Sequence, residues 1–240
     1  MQNSNFERGI EYSSSRIAAE NARFMTRVYG WMTLGIGISA LVAFKLSTEP
    51  ALMQGLMQSP ALFYTVIGLQ FAAVLGLSFL VNRLNSTAAT LIYLLYSALT
   101  GVTFSVLFMI YKSQSIAQVF GLTAISFAGL SGFGLVTKRD LGPVGSFCMM
   151  GLFGMVGYAL LSMFFPSMMG DVASRTYSAI GLVVFAGLTA YDSQKIKEMN
   201  VAGSEGTEEN KKRAIYGALT LYLDFINLFV NLLRLMGNRR

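Results

Sequence analysis

Two aspartates stand where an acid is costly. Asp224 lies inside the run Ala214 to Leu233, which holds no other charge, and Asp192 closes the charge-free run that starts at Thr176. An ionisable group at the centre of a bilayer costs roughly 2.5–3.5 kcal/mol on insertion scales, so its presence there points to function. Asp224 also has company. Thr220, Asp224, Asn227, Asn231 and Arg234 follow at spacings of four, three, four and three, which gathers all five on one helical face. The remaining face reads Leu219, Leu223, Phe225, Ile226, Phe229, Val230 and Leu233. A polar stripe on a membrane helix must face protein or water, so this helix is expected at the centre of a bundle. Two carboxylates on neighbouring helices would compete for ionisation and titrate as one coupled unit. Such a pair can bind a cation when ionised, or latch two helices through a shared proton. The competing readings are structural: an interhelical hydrogen-bond seam for the stripe, and a cheap helix-end position for Asp192, one turn before Lys195. A plain seam needs no carboxylate, which favours the functional pair.

The rest of the chain supplies the helices that must hold these residues. Of 240 residues, 54% are hydrophobic and only 12% charged, with a mean hydropathy of +0.55. A soluble domain carries roughly 25% charged residues, twice this share. Charge is absent from Val28 to Phe44, Pro50 to Asn82, Leu84 to Tyr111, Ser113 to Thr137, Leu141 to Gly170 and Thr176 to Tyr191. About 20 apolar residues cross a bilayer, and Pro60 marks where the overlong second run begins its span. Seven spans follow, at about 28–45, 61–82, 88–111, 115–136, 144–165, 175–194 and 214–235. The runs are continuous instead of alternating, which excludes a membrane β-barrel. Backbone groups in hydrocarbon must pair within their own segment, so the spans are helical. The expected fold is therefore an all-α polytopic membrane protein, a seven-helix domain over 28–236 with its last helix central. Glycines at 129, 132 and 134, and again at 151, 154 and 157, predict close helix packing in the fourth and fifth spans.

Outside that domain lie a polar tail, 1–27, and a short basic C-terminus, 237–240. The tail carries Glu7, Arg8, Glu11, Arg16, Glu20, Arg23 and Arg27 and does not read as a cleaved signal peptide, because acidic residues spoil a basic n-region. The loops on the tail's side of the membrane hold twelve Lys and Arg, including Arg83, Lys138, Arg139 and five within 193–213, against five on the other side. The positive-inside rule then puts the N-terminus in the cytoplasm. Seven crossings would leave the basic C-terminus outside, whereas a re-entrant last segment would return it. Histidine is absent, and Cys148 is the one cysteine, so His-based triads, His metal sites and disulfides are excluded. The net charge of +6 is scattered between apolar runs, which argues against nucleic acid; the expected partner is the lipid bilayer, and no cofactor is expected.

Three segments resemble a known family. Phe185-Ala186-Gly187-Leu188-Thr189-Ala190-Tyr191-Asp192-Ser193-Gln194-Lys195-Ile196-Lys197 is similar to the sixth-helix signature of the Bax inhibitor-1 family, and the stretch from Gly217 to Phe229 around Asp224 to its last-helix signature. Thr137-Lys138-Arg139-Asp140-Leu141 resembles the loop between its fourth and fifth helices. The resemblance implies six helices around a central seventh and a pH-sensitive calcium leak. It also implies an acidic pair at Asp192 and Asp224, and a last-helix arginine at Arg234. Some members latch the pair with a second-helix arginine, for which Arg83, beside Asn82, is the nearest candidate. The short, loop-poor chain resembles a bacterial member, hence the inner membrane.

The expected function is a pH-sensitive leak channel for Ca²⁺, with Asp192 and Asp224 as gate and transient metal ligands. Thr220, Asn227, Asn231, Arg234 and Arg83 would line the path. Oxygen ligands suit a hard cation, and two carboxylates are too few for a tight cage. A regulatory or interaction protein with a purely structural aspartate latch remains open. An intramembrane aspartyl protease would also place Tyr-Asp on a sixth helix, as Tyr191-Asp192 does. It would precede the second aspartate with Gly-x-Gly, however, where this chain has Leu221-Tyr222-Leu223. A retinal protein fails because the last span has no lysine for a Schiff base.

Overall fold

Each helix starts or stops where the sequence supplies a cap or a charge. The computed structural model describes residues 2–80, 83–165, 167 and 170–240, with side chains from residue 15 onward other than 50, 56, 57, 79 and 80. α1 (Gln2–Ser47) runs from the polar tail straight through the first span, because no Gly or Pro interrupts residues 10–29. Pro50 and Pro60 open α2 (Pro50–Gln58) and α3 (Pro60–Leu80), at positions where a missing N–H costs nothing. Asn85 caps α4 (Ser86–Ser105) by accepting from the Ala88 N–H at 2.8 Å. The third span finishes in a short α5 (Leu107–Ile110). α6 (Ser113–Val136), α7 (Gly142–Phe164) and α8 (Asp171–Glu198) follow, and Thr207 caps α9 (Glu208–Met236). Among the described residues, seven helices are long and apolar enough to cross a membrane, one at each expected span.

The packing order divides the bundle into two half-shells. α4 lies between α1 and α3, α8 lies between α6 and α7, and α9 runs down the middle against α1, α4, α6 and α8. In α9, 56% of the spanning window is buried, against 11–33% in the other six, so the last helix is the central one. Its apolar side earns that position through aromatic contacts. Phe225 sits edge-on to Phe120 and Phe127 at 5.4 and 5.6 Å, and Tyr222 to Tyr93 and Tyr96 at 6.0 and 5.7 Å. Each such pair adds roughly 0.5–1.5 kcal/mol beyond area burial. The outward surfaces, by contrast, expose Leu41, Leu91, Phe153 and Met163, as lipid-facing helices do.

The expected glycine packing is selective. A Cβ at Gly134 would collide with the Ala190 carbonyl oxygen, and one at Gly151 would come within 2.8 Å of Val184, while Gly129, Gly132, Gly154 and Gly157 have open space. Sequence clustering overcounted, because one glycine per cluster faces the neighbouring helix. Gly134→Ala is expected to lower stability by about 1–3 kcal/mol, since backbone cannot yield as a side chain can. Gly132→Ala is expected to be neutral or slightly stabilising. Thermal unfolding of both variants in detergent checks this pair.

Both ends of the bundle are tied. At one end Glu205 accepts from Arg23 and Arg27, and the Gly203 N–H donates to Glu20 at 2.8 Å. Gly203 and Gly206 make this turn possible with φ of 78° and 81°, which only glycine adopts without strain. The Arg23 hydrogen bond and the charges of both arginines hold the Glu205 carboxyl below its ordinary range. At the opposite end, residues 238–240 pair with 110–112: the Lys112 N–H donates to Asn238 and the Arg240 N–H to Ile110, both at 3.0 Å. α9 is unbroken between these ends, about 43 Å at 1.5 Å per residue. The last segment is therefore not re-entrant, and the C-terminus lies on the face opposite the 199–207 loop. With Cys148 buried, a cysteine placed at exposed Ala202 offers a clean topology probe. An impermeant maleimide is expected to label it only after permeabilisation, and to label a cysteine at Arg239 in intact cells; the reverse pattern would invert the orientation.

Candidate functional site

α8 and α9 pack along their length because small residues let them approach. Gly217 lies against Ile196, and a Cβ at Gly181 would stand 2.7 Å from the Asn231 amide oxygen. This register carries Asp192 and Asp224 into hydrogen-bonding reach of one another. Asp224 is 4% exposed, and its Oδ2 meets no hydrogen-bond donor among the described residues. Asp192 is half-buried. An unpartnered carboxylate oxygen inside a bundle is a large standing cost.

A cavity of about 570 Å³ contains the pair. It extends along α9 from Tyr216 to Arg234, some 27 Å of helix at 1.5 Å per residue, and so most of the membrane's thickness. Thr220, Asp224, Asn227, Asn231 and Arg234 all line it. Apart from Asp224 and Arg234, the members of the stripe donate back onto their own helix. Thr220 donates to the Tyr216 carbonyl at 3.2 Å, Asn227 to Leu223 at 2.8 Å and Asn231 to Asn227 at 2.8 Å, each within α9 itself. Leu219, Leu223 and Val230, expected on the opposite face, line the same cavity, so its wall mixes polar and apolar groups.

Arg83 is elsewhere. It is exposed in the turn before α4, and that turn is fastened to Glu208: the Ser86 N–H and hydroxyl donate to its two carboxylate oxygens at 3.0 and 3.1 Å. Glu208 lies sixteen residues before Asp224, about 24 Å along α9. No arginine side chain spans that distance, so Arg83 sits at the rim of the bundle and does not latch the pair. Its neighbour Asn82 lies outside the described residues. The residue to which sequence reasoning assigned no role is Gln70 of α3, which faces into the cavity and donates to Thr103 at 3.2 Å. As the lone amide within Pro60–Leu80, it carried a signal. Among the described residues, no third carboxylate, Cys or His joins the pair to complete a metal cluster.

Behind the pair the framework is firm. Gln194 accepts from the Leu141 N–H and donates to the Arg139 carbonyl, both at 2.9 Å, and Lys197 donates to the Leu135 carbonyl at 2.9 Å. The 137–141 loop is thus bound to the same helix that carries Asp192.

Fold and site together define a seven-span integral membrane protein with a central last helix and a buried dicarboxylate beside it. The model of the family "Inhibitor of apoptosis-promoting Bax1" matches residues 21–240. A Borreliella burgdorferi protein is 42% identical over 218 residues, covering 91% of this chain and 93% of that one. Inner membrane protein YbhL of Escherichia coli K12 is likewise 42% identical, covering 90% and 92%. An uncharacterized membrane protein of Streptococcus pyogenes is 33% identical, covering 90% and 92%. The chain belongs to the Bax inhibitor-1 family.

Proposed function

We propose that the protein is a pH-sensitive cation leak channel of the bacterial inner membrane, with its N-terminus cytoplasmic and Ca²⁺ as the permeant ion. The observation that carries this reading is the unpartnered oxygen of Asp224, held opposite Asp192 inside a cavity that follows α9 through most of the bilayer. A passing cation, or a proton shared with Asp192, supplies the partner of that oxygen. The orientation rests on the basic loops, and the inner membrane on the similarity to YbhL. Asp192 and Asp224 act as gate and transient Ca²⁺ ligands, with Thr220, Asn227 and Asn231 adding oxygens along the path and Arg234 lining its far end. A shared proton would hold α8 and α9 together, and its loss, or a second protonation, would release them. No cofactor is required. Flux of Ca²⁺ into dye-loaded liposomes holding the purified protein tests the reading: uptake above that of empty liposomes, changing with pH, is expected. Uptake equal to the empty control across the pH range would overturn it.

A further inference from the structure

The cavity is wider and more apolar than an ion path requires. One water occupies about 30 Å³ of liquid, and pockets that enclose small organic molecules span roughly 300–1,000 Å³. At about 570 Å³ the cavity belongs with the second group. Phe71 and Val74 of α3 form one wall and Leu152 and Met155 of α7 the other. α3 rests chiefly on α4 and α7 on α8, and neither packs extensively on the other. The cavity therefore opens sideways between them, at the depth of the hydrocarbon. At its polar heart, Asp224 keeps an oxygen that is buried and without a partner.

A bare divalent cation takes six to eight oxygen ligands; the carboxylates, amides and hydroxyls of this cavity are spread along its length, and Phe71, Val74, Leu152 and Met155 add none. A primary ammonium on an alkyl chain suits both halves of the site. Its three N–H donors match the carboxylate oxygens of the pair, and its chain matches the walls and the lateral opening. We propose that the cavity binds an amphiphilic organic monocation, which enters from the bilayer between α3 and α7 and seats its ammonium on Asp192 and Asp224. Arg234 lies ten residues beyond Asp224, about 15 Å along α9, and refuses a second positive charge at the far end. A long diamine is thereby disfavoured against a monoamine of equal length. The inference rests on the same aspartate pair as the proposed channel, and it makes the amine a blocker of that path.

The test uses the full-length protein in phosphatidylcholine nanodiscs with decylamine as the probe. Decylamine is expected to raise the thermal midpoint saturably, whereas decanol, decyl sulfate and 1,10-diaminodecane give at most a small, unsaturating shift. The shift is expected to vanish in Asp192→Asn/Asp224→Asn. It is also expected to vanish in Val74→Trp and Leu152→Trp, which fill the cavity from opposite walls and leave both carboxylates in place. Equal shifts from decanol and decylamine, or a decylamine shift unchanged in every variant, would overturn the site. If the variants do not fold, the comparison of the four ligands on the unaltered protein decides alone. Ca²⁺ flux is read separately. Flux without saturable amine binding rejects this inference only, and amine binding without flux rejects the channel only.

Discussion

Asp192→Asn and Asp224→Asn are each expected to cut Ca²⁺ flux in liposomes at least about tenfold, and to collapse its pH dependence to a single step. The magnitude follows from charge. Two unit charges 4 Å apart interact by about 4 kcal/mol at an effective dielectric of 20, and about 1.4 kcal/mol already corresponds to a factor of ten. The change of shape follows from coupling, because two interacting carboxylates release their protons in two macroscopic steps that belong to the pair. Removing either member leaves one site with one step, whichever residue is changed. The two single variants should therefore resemble each other in pH profile, even though Asp224 is buried and Asp192 half-buried. Asp171→Asn is the matched control. It removes an exposed carboxylate from the first turn of α8, at the opposite end of that helix from Asp192, and should leave flux and profile unchanged. Unaltered profiles in both single variants would leave the pair without a role in gating.

The central helix was legible in the sequence because one α-helix encodes its own faces. The spacing of Thr220, Asp224, Asn227, Asn231 and Arg234 put them on one stripe, and that stripe lines one cavity. The pairing of Asp192 with Asp224 was only half legible. Each aspartate was conspicuous in its run, but their approach depends on the register of α8 on α9, which Gly181 and Gly217 set by contacts no single-helix pattern contains. The misplacement of Arg83 has the same origin. Proximity in sequence to the end of the second span says nothing of depth, and the Glu208 side chain that anchors its turn comes from 122 residues further on. Gln70 stayed without a role for a different reason: α3 is apolar nearly all round, so no stripe marked which side faces the protein. The side of the C-terminus was undecided because charge counting treats 239 and 240 as free, whereas the backbone ties them to 110–112.

Asp192→Leu/Asp224→Leu is expected to abolish flux while leaving the protein as stable as before or more so, by up to about 4 kcal/mol. Leucine has nearly the shape of aspartate and brings no oxygen to desolvate, and replacing both members of a buried polar pair with apolar groups of like shape is neutral or favourable. The surroundings suit it, for Leu188, Leu219 and Leu223 already line the same cavity. For a membrane domain of this size the gain would raise the thermal midpoint by roughly 2–4 °C per kcal/mol. The sign of the change separates the two accounts of the pair. If the aspartates were only a structural seam that the bundle needs for its stability, removing both would loosen the central helix and lower the midpoint. If instead they are a site maintained against the fold's own interest, the molecule relaxes when they go. Asp224, whose Oδ2 finds no donor among the described residues, points to the second account. Thermal unfolding and liposome flux, measured on the same purified double variant, read both halves at once. A lowered midpoint with flux retained would return the pair to a structural role.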